Sequence, residues 1–404
     1  MVAEACFSTT NAITMTVSLC PNGTAKQIGS GAAAPCPSKC DHGTHVAGDA
    51  AGKGIYTGGP GYNGVAPDAG IIAVQVFSGL TNDGTSGGVY SVMAFDSDVI
   101  SGLNWVYTQR SSFHIAAVNM SLGNSSLAAT TACDATNPAM KTAIDVLRAA
   151  DISTVIAAGN DSFSNAIAYP GCISSAISVG AVDNTDAVAY FSNRDPLLTF
   201  WAPGVNVLSS IPPSKYTSES GTSMAAPMVA GALAVLRSKN PGASEDMLIC
   251  VLQNTGKSIV DAFSGTTKPR IQLDAALSAL PAPGDPQTCT PPPTATPATT
   301  ATATATATAT PTGTSTATAT ETPALPTATP SNTGTTTATR IGTATPALST
   351  STPVPSDGGT GGTGSGAATP ELGSGGLLAI GLLPLALALG ALRRRTRRRQ
   401  HGPA

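Results

Sequence analysis

Apolar residues recur along this chain in two rhythms. Short continuous runs, IIAVQVF at 71–77, IAAVNM at 115–120, TVIAA at 154–158 and AISVGAV at 176–182, read as strands buried on both faces. Helical spacing near 96–107 and 138–150 falls between them, the alternation expected of a parallel sheet covered on both sides. A further helix is predicted from about Thr222 to Lys239; it is apolar all round, which marks it as central and buried. The predicted fold is therefore α/β in three layers, a mostly parallel sheet between helices. In such sheets chemistry gathers at the carboxyl ends of the strands, where Asn119-Met120-Ser121-Leu122-Gly123 and Ala157-Ala158-Gly159-Asn160 place polar groups.

The rhythm stops near Cys289. Residues 1–288 have globular proportions, whereas 289–371 is rich in Thr, Ala, Pro, Ser and then Gly, a composition that cannot bury a core and predicts a disordered linker. The stretch 372–392 carries no charge for 21 residues and is followed by six arginines within 393–399, the length and flank of one membrane helix with a basic cytoplasmic tail at 393–404. Placing the globular part outside the cell, anchored or sorted by this segment, follows from that orientation.

Charge changes meaning once it is divided. The part after Cys289 holds 7 of the 20 basic and 3 of the 23 acidic residues, so the globular part carries 13 against 20, a net charge of about −7. An acidic soluble domain argues against a nucleic-acid partner. All eight cysteines lie in the part expected to be exported, and an even count suits disulfides. Spacing does not fix the pairing; Cys133 with Cys172, and two bridges among Cys6, Cys20, Cys36 and Cys40, are the expectation. Residues 1–6 show neither the basic head nor the apolar core of an export signal, so the sequence reads as lacking its N-terminus.

Two stretches carry candidate chemistry. Ser220-Gly221-Thr222-Ser223-Met224-Ala225-Ala226-Pro227 presents a serine at a helix start, where free backbone amides face its hydroxyl; the alternative is a capped core helix. Asp41-His42-Gly43-Thr44-His45-Val46-Ala47-Gly48 opens another helix with a histidine able to act as a base. The two histidines lack the HExxH pattern of a metal site. A GxSxG elbow is also absent around Ser223, which excludes the usual lipase arrangement.

Together with Gly64-Val65-Ala66-Pro67-Asp68-Ala69, Asn119-Met120-Ser121-Leu122-Gly123, Ala158-Gly159-Asn160 and Tyr169-Pro170-Gly171, in this order, these motifs resemble those of the subtilisin-like serine peptidases, the subtilases. The resemblance spans about residues 40–280. It implies Ser223 as nucleophile, His42 as general base and Asn160 as the side-chain donor to the oxyanion. It further implies an extended polypeptide substrate paired along Ser121, Leu122 and Gly123, with Ala157, Ala158 and Gly159 forming one wall of the pocket before the cleaved bond and Ala168 at its bottom. An apolar pocket of this kind favours medium to large apolar side chains. No cofactor is required for catalysis; a structural calcium, common in the family, has no site recognisable in the sequence, and a monomer is expected.

The pattern departs from the family at one point. Subtilases carry the triad aspartate on a strand before the histidine, followed by Ser-Gly or Thr-Gly. Before His42 the only acidic residues are Glu4 and Asp41, and neither is so followed. The first strand or strands are therefore expected to be missing, with Glu4 in the loop beyond them. Two functions follow: a surface-tethered endopeptidase of which this is an incomplete copy, or a catalytically dead peptide-binding domain.

Overall fold

The computed structural model describes residues 1–35, 40–54, 62–82, 88–285, 288–290 and, by backbone alone, 377–382. The linker expected at 289–371 falls outside the described residues apart from Cys289 and Thr290, as does the basic tail. Six helices are described: α1 His42–Ala51, α2 Asp96–Gln109, α3 Pro138–Arg148, α4 Thr222–Lys239, α5 Glu245–Thr255 and α6 Leu273–Ala279. They pack on a ten-stranded sheet. Its order is Lys257–Val260, Thr267–Arg270, Phe200–Pro203, Ile177–Val182, Ser153–Ala157, His114–Met120, Leu377–Leu382, Gly70–Gln75, Ala3–Phe7 and Lys26–Ile28. From Thr267–Arg270 to His114–Met120 neighbours run parallel, as do Gly70–Gln75 and Ala3–Phe7, while Lys257–Val260 and Lys26–Ile28 close the edges antiparallel.

Alternation along each strand divides the core in two. Ile156 and Val118 point into one cluster with Leu103 and Val106 of α2 and Met140, Ile144 and Leu147 of α3. Val155 and Ala117 point into the other, with Ala225, Ala226, Val229, Ala230 and Leu233 of α4 and Leu248 and Leu252 of α5. Strands shielded on both faces need no polar side, which is why they read as unbroken apolar runs. Local signals fix the helix ends. Asn137 accepts from the amides of Ala139 and Met140 ahead of Pro138, and the Ser244 hydroxyl accepts from Met247 N. The second cluster is built of small residues because α4 lies close to α1: a Cβ on Gly231 would sit 2.9 Å from the Ala50 carbonyl oxygen.

One expectation needs correction. Glu4 is not in a loop: Ala3–Phe7 is a strand, paired Ala3 to Ile72 through Cys6 to Gln75. Its glutamate and cysteine hide the apolar signal, and long-range pairing makes the strand. The stretch expected as a membrane helix at 372–392 lies mostly outside the described residues, but its six described residues, Leu377–Leu382, form a strand antiparallel to both Gly70–Gln75 and His114–Met120. Those two strands run parallel to each other and leave unpaired backbone groups between them, which any short apolar run can satisfy. Among the described residues no helix is long and apolar enough to cross a membrane. Disulfides join Cys133 to Cys172 and Cys6 to Cys20, as expected, and also Cys250 to Cys289. Cys40 is disulfide-bonded too.

Candidate active site

His42 opens α1. Asp41 Oδ1 accepts from His42 N at 3.1 Å, so this carboxylate caps the helix rather than serving the ring. The His42 side chain is buried, and its Nδ1 has no hydrogen-bond partner. Burial first, then repulsion from His45, lowers its pKa from 6.5 to about 4, against a weaker pull from Asp41. The ring is therefore neutral at physiological pH, as a base must be. Glu4 is also committed elsewhere: Oε2 accepts from Gly31 N at 2.9 Å and Ala33 N at 3.3 Å.

Ser223 is the second residue of α4, preceded by a turn in which Gly221 O accepts from Met224 N at 3.0 Å. Its backbone is anchored from the sheet. Ser121 Oγ donates to Ser223 O at 2.6 Å, and Asn119 Nδ2 donates to Ser121 Oγ at 2.9 Å. Helices α1 and α4 pack together, which brings the two elements bearing His42 and Ser223 side by side. No hydrogen bond joins the two side chains.

Asn160 is held in one orientation. Its Oδ1 accepts from Thr222 N and Thr222 Oγ1, both at 2.9 Å, and two donors on that oxygen fix which end of the amide is which. The Nδ2 end then faces the turn before Ser223; a Cβ added to Gly221 would lie 3.3 Å from it. The Thr222 hydroxyl also accepts from Gly159 N at 3.2 Å. An amide aimed beside a serine at a helix N-terminus can stabilise negative charge developing on a bound carbonyl.

The expected substrate residues come together only in part. Gly159, at φ +106°, Ala168 and Gly123 converge: a Cβ on Gly159 would meet the Ala168 Cβ at 2.9 Å, and one on Gly123 would meet it at 3.5 Å. Ala168 N donates to Ala158 O at 2.9 Å, while Ala157 packs in the core under α4. Gly123 is exposed and leads directly into a strand. Ser121 is buried, Leu122 half-buried, and the strand is Asn124–Ala129, antiparallel to Ile167–Tyr169.

Several working residues escape sequence reasoning. Asn193, fully buried, accepts on Oδ1 from Asp161 N and Phe163 N and donates from Nδ2 to Ala158 O, so it shapes the loop that carries Asn160. Asp161 puts a carboxylate next to Asn160, where it accepts from Ser125 Oγ. Thr222 is recognisable only by its place beside the serine. Among the described residues no group of three or more His, Cys, Asp or Glu is arranged to hold a metal ion.

The profile of the subtilase family, peptidase S8, matches residues 29–272. The chain belongs to the subtilase family, the subtilisin-like serine endopeptidases. It is 39% identical over 225 residues to subtilisin DY of Bacillus licheniformis, covering 55% of this chain and 72% of that protein. Against a cuticle-degrading serine protease of Arthrobotrys oligospora it is 36% identical over 226 residues, 55% of this chain and about half, 47%, of the relative. A solved protease of Pseudoalteromonas arctica shares the fold at a TM-score of 0.53 and 25% identity, over 69% of this chain and 84% of that one.

Proposed function

We propose that this chain hydrolyses extended polypeptides outside the cell with Ser223 as nucleophile, His42 as general base and Asn160 Nδ2 with Ser223 N as oxyanion donors, and that it works at full rate only when a carboxylate is supplied to His42 Nδ1. The orphaned Nδ1 carries this reading. Ser223 Oγ attacks the scissile carbonyl carbon as its proton passes to His42 Nε2. The carbonyl electrons move onto oxygen, and the oxyanion is met by the two donors. Collapse expels the amine, which takes the proton from His42; water repeats the sequence to release the acyl group. The imidazolium in each half-reaction calls for an anion at Nδ1, and neither Asp41 nor Glu4 provides it.

In the subtilase pattern that carboxylate comes on a strand followed by Ser-Gly or Thr-Gly, and the place between Gly70–Gln75 and His114–Met120, now held by Leu377–Leu382, accepts a strand. Its loss lowers turnover by ~3 × 10⁴ in a subtilisin, a measured size and not one deduced from this chain. The same orphan supports a second reading, a peptide-binding domain without catalysis. Fluorophosphonate labelling of Ser223 in the full chain separates them. Slow labelling that rises by orders of magnitude when an Asp-bearing strand is fused N-terminally supports the enzyme; no labelling in either form sinks it. Replacing Asn160 by Ala in the fused form lowers turnover by ~10²–10³, again the scale known for a subtilisin.

The disulfides support an oxidising, extracellular compartment. The apolar Ala157, Ala158 and Gly159, with the convergence of Gly159, Gly123 and Ala168, support medium to large apolar residues before the cleaved bond. The uncharged run at 372–392, followed by six arginines, supports a membrane anchor. Release of the intact chain from membranes by salt alone overturns the anchor.

A further inference from the structure

His45 lies one turn beyond His42 on α1, wholly buried, with both ring nitrogens engaged. Nδ1 is 3.2 Å from Asp49 Oδ2, one turn further along the same helix, and both side chains are fully shielded from solvent. Nε2 is 3.2 Å from the carbonyl oxygen of Thr217, on the strand Lys215–Glu219. A carbonyl only accepts, so Nε2 carries a proton; an ionised carboxylate only accepts, so Nδ1 carries another. The helix backbone is held to the same hairpin. Ser209 Oγ, on the strand Val207–Ile211, donates to His45 O at 2.7 Å, and Tyr62 OH lies 2.7 Å from Ser209 Oγ. Glu219 ends that hairpin four residues before Ser223.

We propose that His45 and Asp49 form a buried ion pair that acts as a positioning device for catalysis, fixing α1, and with it His42, against the hairpin that leads into Ser223. His45 touches neither substrate nor the reacting atoms. The inference rests on the assignment of His42 and Ser223 as base and nucleophile. The pair has a second consequence: a cation one turn from His42 repels a proton there and keeps the base neutral.

The surroundings favour the charged ring. Asp49 faces it from α1 and Glu219 from the hairpin, with His42 on α1 the opposing base; Asp41, the cap of α1, acts on His42 and Glu219, and the Tyr62 hydroxyl lies near Asp49. Burial opposes the charge on both partners: it works against the cation on His45, and it raises the Asp49 carboxyl above its usual range against the pull of the His45 bond and charge and the Ser209 hydroxyl. The bond and charge of Asp49, the charge of Glu219 and the Thr217 carbonyl outweigh it and raise the His45 pKa above its usual 6.5. Below that raised pKa the pair and both bonds persist. As pH rises through it, the ring loses a proton and one of the two contacts goes.

NMR of the full chain with ¹⁵N-labelled histidine tests this without a substitution, His42→Ala and His45→Gln serving to assign the signals. At pH 7 both ring nitrogens of His45 are expected to carry protons while His42 is neutral. Asp49→Asn should lower the His45 midpoint by at least one pH unit, raise that of His42, and slow fluorophosphonate labelling of Ser223 at pH 8 tenfold or more. His45→Gln, which can still donate to Thr217 O, should recover labelling that His45→Ala does not. A neutral His45 at pH 7 overturns the proposal, as does an Asp49→Asn chain in which neither the His42 midpoint nor the labelling rate moves. If Ser223 labels in no form while Asp49→Asn still shifts His42, the ion pair stands and the nucleophile assignment fails.

Discussion

Two histidines one turn apart on α1 share a helix and nearly the same burial, yet their electrostatics are opposite. His42 has an unpartnered Nδ1 and a pKa pushed down to about 4. His45 has a carboxylate one turn on and a carbonyl across the helix interface, and its pKa is raised. Burial works against charge in both. What separates them is chiefly Asp49, placed where the helix brings i and i+4 together, with Glu219 and the Thr217 carbonyl adding to it. A buried imidazole is thus neutral or a structural cation according to the acceptor offered to it, and in this chain the acceptor stands beside His45, not the proposed base His42.

The strongest way to break that contrast is to remove each ring in turn. His42→Ala should abolish reaction of Ser223 with a fluorophosphonate and leave folding intact, because no hydrogen bond of the ring is lost. In a subtilisin, removal of the base costs about 2 × 10⁶ in turnover, which sets the scale for the strand-completed form. His45→Ala should do the reverse first: it leaves Asp49 buried and unpaired and lowers unfolding free energy by about 3–5 kcal/mol. Urea denaturation of the two variants separates them, and equal stability losses would dissolve the distinction.

Acid sharpens the contrast at smaller scale. The folded pKa of His42 lies below its unfolded value of 6.5, so the neutral ring contributes stability that is present above pH 6.5 and lost as pH falls toward 4. The loss amounts to about 3 kcal/mol at most. His45 moves oppositely: its contribution is whole below pH 6.5 and fades only as pH climbs through its raised value. Unfolding curves from pH 4 to 7 should therefore flatten in His42→Ala, whereas a parent chain equally stable at both ends would remove the orphaned base from the account.

How much of this is legible in the chain follows from where each signal resides. The strands Ser153–Ala157 and Ile177–Val182 are legible because burial on both faces leaves unbroken apolar runs, and α4 because it is apolar all round. His42, Asn160 and Ser223 stand in motif-bearing turns. Ala3–Phe7 is hidden because its pairing with Gly70–Gln75 is long-range and Glu4 interrupts its pattern. The polar bonds that orient the site, Thr222 to Asn160 across 62 residues and Ser121 to Ser223 across 102, leave no local periodicity to read. The spacing of His45 and Asp49 is visible in the sequence, but their complete burial is a property of the packed hairpin.

A third buried titratable group, remote from α1, tests whether the rule drawn from the two histidines is general. Glu245, at the start of α5, is 2% exposed, and neither carboxylate oxygen has a hydrogen-bond partner. Arg148 Nη1 is 3.9 Å from Oε1, too far to bond, and Asp151 spends its carboxylate on Glu245 N. Burial, opposed by Arg148 and reinforced by Asp246 and Asp151, raises its pKa from 4.5 to about 7. An orphaned acid should behave as the mirror of the orphaned base: its contribution to stability is whole below pH 4.5 and is lost as pH rises through 7. Glu245→Gln keeps the shape and removes the charge, so it should raise unfolding free energy by about 1–2 kcal/mol at pH 8.5 and change it little at pH 4. Thermal unfolding at the two pH values reads this directly. A variant destabilised equally at both would mean that the carboxylate is paired after all, and that burial without a partner is not what sets the charge of such groups in this fold.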